Sequence, residues 1–157
     1  MNISTLTTPF GDVVVATSGG LIVRVYLPGA TVPAGSPSVD SRRAAEEISQ
    51  FLAGTRTHWG VECAIPEATP FLTAVWRALS EIPYGQTRTY GELAAHIGRP
   101  GAARAVGTAC ATNPLPLLVP CHRVVPATGG TGSYAGGTEM KKALLEMERT
   151  VSARTTS

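Results

Sequence analysis

Residues 89–112 read TYGELAAHIGRPGAARAVGTACAT, and this stretch decides the fold of the half of the chain that carries chemistry. Thr89–Ile97 has the length and apolar spacing of a short helix, and Gly98 closes it. Pro100 is suited to the first turn of the next helix, expected over Gly101–Thr112. Helix, glycine-containing turn, helix is the outline of a helix-turn-helix, although plain helical domains also contain it. The second helix is nearly without bulk: Ala102, Ala103, Ala105, Gly107, Ala109 and Ala111 surround one charged side chain, Arg104. Such a helix either lets a neighbouring element approach closely, or enters a narrow space such as a minor groove.

Working outward, Pro70–Ile82 places Phe71, Val75, Ala78, Leu79 and Ile82 on one helical stripe, and Pro83-Tyr84-Gly85 ends it. Downstream, Asn113-Pro114 leads to Pro120-Cys121-His122-Arg123-Val124. A thiol beside an imidazole is a candidate activated nucleophile, and a carboxylate behind the His would favour the thiolate. Gly129–Gly137 holds five glycines in nine residues and is expected to be a loop. Thr138–Met147 reads as a closing helix. Glu148, just beyond, lies about 40° round from Leu144 on a helical wheel, on the apolar side. There it is either solvated at a fraying end or paired with His122, giving Cys–His–Glu. Asn113 serves as a helix C-cap, a brace for the turn carrying Cys121, or both. Tyr90 and Tyr134 are core aromatics or cleft walls.

Upstream the pattern changes. Asn2–Thr8, Val13–Thr17 and Leu21–Tyr26 are β-prone runs separated by Gly11-Asp12 and Gly19-Gly20, an antiparallel meander. Residues 28–40 are a loop rich in Pro, Gly, Ala and Ser. Ser41–Leu52 reads as a helix with Ser41 as N-cap and Ala44, Ile48, Phe51 and Leu52 on one face. The expected architecture is α+β: a small N-terminal antiparallel sheet with a helix (residues 1–68), packed on a mostly helical C-terminal domain containing the helix-turn-helix (69–157).

Totals narrow the classes of function. Hydrophobic residues make up 43% of the 157 and charged ones 15%, enough for a core and unlike a disordered chain. Residues 1–69 carry four arginines against six acids, whereas residues 70–150 carry eight bases against five acids. The second half therefore permits a nucleic-acid partner without demanding one. Cys63, Cys110 and Cys121 are an odd number without metal-ligand spacing, so neither a disulfide framework nor a zinc site is expected. His58 and His96 have no partners at useful spacing. No secretory signal or membrane-length apolar run is present, which suggests a soluble protein of a reducing, cytoplasmic compartment.

Taken in order, Ile82–Gly85, Tyr90-Gly91, Ala102–Gly107, Asn113-Pro114, Pro120–Val124, Tyr134 with Gly136-Gly137, and Leu144-Leu145 with Glu148 resemble the O6-alkylguanine-DNA alkyltransferases, the methylated-DNA–protein-cysteine methyltransferases. The resemblance is strong over residues 70–148 and general over 1–60. It implies that Cys121 accepts an alkyl group from O6-alkylguanine, and also from O4-methylthymine, in duplex DNA, irreversibly and once. His122 would act as base through a water, oriented by Glu148, with Asn113 bracing the turn. Tyr90 would help rotate the nucleotide and donate a proton to the departing base, while Arg104 fills the vacated stack. Ala102, Ala103, Ala105 and Gly107 would face the DNA. Tyr134, Val124, Ala135 and Gly136 would form the base pocket, with the Ala135 amide donating to O6. The resemblance implies no metal or organic cofactor, a duplex DNA partner, no membrane, and a monomer. Leu72 stands where the family often has Gln, and Ala135 where it often has Ser or Gly.

Two other readings use the same residues. A cysteine hydrolase or acyltransferase would turn over repeatedly and leaves Arg104 without a role. A helix-turn-helix regulator or lesion sensor explains the small-residue helix and leaves Cys-His-Glu without one.

Overall fold

The computed structural model describes residues 1–156 and is α+β, with two compact units. The first comprises Met1–Pro66 together with Pro114–Leu118, and the second Glu67–Asn113 with the chain from Val119 onward.

In the first unit β1 (Asn2–Thr8), β2 (Gly11–Ser18) and β3 (Leu21–Tyr26) form an antiparallel sheet in the order β1-β2-β3, with Ser4 opposite Val15 and Val15 opposite Val25. The middle strand is buried from Val13 to Thr17, having a partner on each edge. Helix α1 (Val39–Leu52) packs on β1 and β2 through Ala44, Ile48 and Phe51. Burying a side chain such as Ile48 or Phe51 stabilises the unit by about 1.5–3 kcal/mol. The helix starts two residues earlier than the sequence suggests. Ser38, not Ser41, is the N-cap, and Ser41 at N3 returns the bond to the Ser38 amide. Ser41 also meets Ser4 Oγ at 2.7 Å, which ties helix to sheet. Glu47 is buried on the same helix and accepts from the Gly60 amide at 2.7 Å. The visiting segment Pro114–Leu118 accepts the Val25 amide on the Pro114 carbonyl at 2.9 Å. Within it Leu117, fully buried, has φ +77°, a costly backbone for a residue with a β-carbon.

The second unit is helical. Helix α2 (Pro70–Ser80) is capped by Thr69 with Pro70 at its first turn. It ends before Ile82, which is nonetheless buried. A short strand β4 (Arg88–Thr89) leads into α3 (Tyr90–His96), where Thr89 and Glu92 form a capping box. Thr89 is therefore a cap rather than the first helical residue. Helix α4 (Ala103–Ala111) begins two residues later than expected, because residues 98–102 turn through bonds such as Ala102 N–H to the Arg99 carbonyl. Trp76 on α2 donates its indole N–H to the Ala109 carbonyl at 3.2 Å, joining α2 to the end of α4. Cys121–Arg123 form one 3-10 turn, and β5 (Val124–Val125) pairs in parallel with β4, neither of which the sequence signals. Helix α5 (Thr138–Thr156) runs well past Met147, so Glu148 lies inside a helix and not at a frayed end. No helix among the described residues is long and apolar enough to cross a membrane.

Candidate active site and small-residue helix

Pro120 (φ −80°, ψ 68°) makes an inverse γ-turn, closed by the Cys121 amide on the Val119 carbonyl at 2.8 Å. Asn113 Nδ2 donates to the same carbonyl, also at 2.8 Å, and its side chain hydrogen-bonds the Cys121 thiol. The end of α4 thus braces the turn that presents the sulfur. Cys121 itself is buried. Burial pushes its thiol up, opposed by the Asn113 bond and by the Lys141 charge. Burial wins, so the resting residue is a thiol; the thiolate expected from the neighbouring His is not held at rest.

His122 is fully buried, and its Nε2 lies 2.6 Å from Glu148 Oε2. Arg123 forks onto the same carboxylate, Nε to Oε1 at 2.8 Å and Nη2 to Oε2 at 3.0 Å. The Gly85 amide adds a fourth donor to Oε1 at 3.0 Å. Burial alone would raise the Glu148 carboxyl, but the bonds and charges of His122 and Arg123 hold it at about 2. Burial lowers the His122 imidazole, against the pull of Glu148 and with Arg123 and Lys141 adding to the decrease. At neutral pH the pair is therefore a carboxylate and a neutral imidazole. A carboxylate only accepts, so Nε2 carries the imidazole proton and Nδ1 is the basic nitrogen.

Lys141 on α5, buried, donates to the Val124 carbonyl at 2.7 Å and the Ser133 carbonyl at 3.4 Å, and reaches the Tyr90 hydroxyl at 3.5 Å. Its ammonium also stands 5.7 Å from the Tyr90 ring centre. Burial lowers this lysine, while the charges of Cys121 and Cys110 act in the opposite sense. One lysine thus links β5, the glycine loop and α3. A β-carbon at Gly132 would stand 3.2 Å from both the Tyr90 hydroxyl and Pro126, so the loop lies close over Tyr90. Tyr134 has a buried hydroxyl with no hydrogen-bond partner among the described residues. Burial, with the charges of Cys121 and Glu148, raises it well above the usual tyrosine range. It stays a neutral donor.

The other residues expected at the site fall as follows. Val124 is buried and contributes its carbonyl to Lys141, while Ala135 is exposed and Gly136 partly so. On α4, Val106 and Ala109 face inward, and Arg104, Ala105, Thr108 and Ala111 face out. Gly107 abuts the Tyr90 ring, where a β-carbon would come to 3.8 Å. Cys110 is pushed up to about 12 by burial and the Cys121 charge, so it does not compete as a nucleophile at neutral pH. Sequence reasoning missed Lys141, Arg123 and Gly85 as members of this cluster. Lys141 had a signal, seven residues before Glu148 and so on the same helical face.

Residues 70–150 match the family model of the 6-O-methylguanine DNA methyltransferase DNA-binding domain. The methylated-DNA–protein-cysteine methyltransferase of Mycobacterium tuberculosis strain H37Rv is 41% identical, covering 92% of this chain and 90% of its own. An inducible relative of the same name from Bacillus subtilis is 47% identical over 69% of this chain and 60% of its own. Among solved structures, M. tuberculosis OGT in complex with DNA superposes with a TM-score of 0.87 at 38% identity, over 96% of this chain and 94% of that one. The O6-methylguanine-DNA methyltransferase of Pyrococcus kodakaraensis gives 0.73 at 28% identity, over 93% and 98%. A buried cysteine braced by an asparagine, a His–Glu pair beside it and a small-residue helix on the surface accompany these likenesses: the chain belongs to the methylated-DNA–protein-cysteine methyltransferases, DNA-repair enzymes.

Proposed function

We propose that the protein binds duplex DNA from the minor-groove side, rotates an O6-alkylguanine out of the stack, and moves its alkyl group to Cys121 Sγ. The unit from Glu67 onward, without Pro114–Leu118, is the DNA-binding and acceptor part. The observation that carries the reading is the sealed His122–Glu148 pair next to a buried, Asn113-braced cysteine.

The steps follow from the site. Lesion binding covers the pocket, and His122 Nδ1 takes the Cys121 proton through a water, with Glu148 holding the imidazole by Nε2. Asn113 and the Lys141 ammonium stabilise the thiolate that forms. The sulfur attacks the alkyl carbon, a C–S bond forms as the C–O bond breaks, and the electron pair passes to guanine O6. The Tyr90 hydroxyl accepts from Lys141, leaving its own proton directed at the departing base. Tyr134 and the loop with Ala135 and Gly136 wall the pocket, the Ala135 amide donating to O6. Arg104, exposed on α4, fills the gap in the stack, and Ala102, Ala103, Ala105 and Gly107 let that helix seat closely. Flipping costs roughly a few kcal/mol, least at a weakened pair, which helps select the lesion. O4-methylthymine presents the same alkyl–oxygen bond and is a second substrate.

The product is a thioether with no good leaving group, so each molecule acts once. Direct displacement by sulfur calls for no metal or organic cofactor. The protein works as a monomer on its DNA, in the cytoplasm.

Intact-protein mass spectrometry after mixing with a duplex containing one O6-methylguanine tests the proposal. The expected result is one methyl mass per protein, mapped to Cys121 and absent in C121S, which still binds the duplex. No mass gain with the duplex bound would replace the transferase reading with lesion binding.

A further inference from the structure

Arg123 is buried against the His122–Glu148 pair. Two of its nitrogens face the two Glu148 oxygens, Nη1 donates to the Ile82 carbonyl at 2.8 Å, and Cζ lies 5.4 Å from the Tyr84 ring centre. The fork leaves the cation little choice of orientation.

We propose that Arg123 is the positioning residue that fixes where the proton of the His122–Glu148 pair resides: by matching the carboxylate with a buried cation, it keeps the imidazole neutral and able to accept a proton. The inference rests on the reading of His122 as base. A sealed carboxylate bonded only to His122 and the Gly85 amide would be an unmatched buried anion. The nearest way to match it is to protonate His122, which would turn the base into a donor.

Burial and the Arg123 and Lys141 cations keep His122 neutral, against Glu148, which favours its charged form. From its own turn His122 faces Arg123, with Cys121 adjacent; from α5 it faces Glu148 and Lys141. Glu148 further acts on Tyr84, from the turn after α2, and on Tyr134 of the glycine loop, both neutral at physiological pH. Lys141 is also a cation, but it is bonded to the Val124 carbonyl rather than the carboxylate. Among the described residues, Arg123 is thus the arginine or lysine bonded to Glu148.

The test uses the full chain and the variants R123K, R123M and R123Q. Two readouts are taken: the NMR titration of the His122 ring, assigned by its loss in H122N, and the single-turnover methyl-transfer rate against pH. R123M is expected to move the His122 titration to higher pH by on the order of one unit, with the acid limb of the rate profile moving equally. R123K keeps the charge and loses the fork, so the limb holds its place while the rate falls roughly tenfold or more at every pH. If R123M does not fold, R123Q, which can still donate to Glu148 but carries no charge, reads the same upward shift of His122 with the carboxylate in place. A uniform rate loss with neither titration moved would show Arg123 to be merely structural and overturn the proposal. A shifted His122 titration with an unmoved rate limb would uphold Arg123 and overturn His122 as the base.

Discussion

The Gly85 amide donates to Glu148 Oε1 at 3.0 Å across 63 residues of sequence. Gly85 has φ +81°, and a β-carbon there would land on the Ser152 hydroxyl and 2.8 Å from the Ser152 Cβ. The turn after α2 can therefore lie on α5 only because residue 85 has no side chain. G85A is expected to destabilise the protein by about 1–3 kcal/mol, from left-handed backbone and overpacking together. G85A/S152G should recover the overpacking share and not the backbone share. Urea unfolding midpoints measure both, and a neutral G85A would contradict this account.

Stability should depend on pH with a sign fixed by the buried groups. His122 is lowered in the folded state, so its contribution is lost as pH falls below about 6.5. Glu148 is held at about 2, so its contribution is present above about 4.3 and drains away as pH falls from there toward 2. Cys121 is raised, which favours the unfolded chain above about 8.5. Denaturation midpoints across pH 3–10 should form a dome with its top near neutrality. E148Q should flatten the lowest part of the acid side.

Substitutions on the exposed face of α4 test whether DNA handling can be separated from transfer chemistry. R104A should slow repair of a duplex by roughly tenfold or more, yet leave transfer from free O6-benzylguanine within about twofold; the tenfold stands for about 1.4 kcal/mol. G107L would drive a side chain into the Tyr90 ring and should impair both reactions. Equal losses for R104A on both substrates would remove the stack-filling role.

Removing Lys141 tests the thiolate. K141M takes away a cation that lowers the Cys121 thiol and a donor to the Tyr90 hydroxyl. Alkylation of Cys121 by iodoacetamide should shift to higher pH, and repair should slow by about ten- to a hundredfold. N113A should move iodoacetamide reactivity in the same direction, since it deletes the other bond that favours the thiolate.

The regular elements are readable because local pattern and tertiary demand coincide. The meander strands are marked by β-branched runs between glycine pairs, and α2 by a stripe that includes Val75 and Leu79. Boundaries are less readable. Ser38 and Ser41 are the same residue type, and only the reciprocal bonds show which one caps α1. The extension of α5 beyond Met147 depends on Glu148 being bonded and on Gly85 receiving Ser152, both contacts with remote sequence. In the site, the helical angle between Leu144 and Glu148 places the carboxylate inward, and the structure has it bonded to His122 there. Arg123 is legible as part of its motif but not in its role, because its partners, Ile82 and Glu148, lie 41 and 25 residues away. The raised Cys121 thiol is invisible for a similar reason: burial is a property of the packed unit, not of the pentapeptide.

Helix α5 carries Lys141, Glu148 and Ser152 at separations of seven and four residues, which bring them within about 40° of one another around the axis. The helix therefore works as a ruler with three marks, one for the ammonium, one for the carboxylate and one for the serine against Gly85. Deleting or inserting a single residue between the first two marks would turn everything beyond it by about 100° and point the carboxylate away from His122. Length variation in this lineage should accordingly collect in the 28–37 loop, and the interval from Lys141 to Ser152 should keep its count.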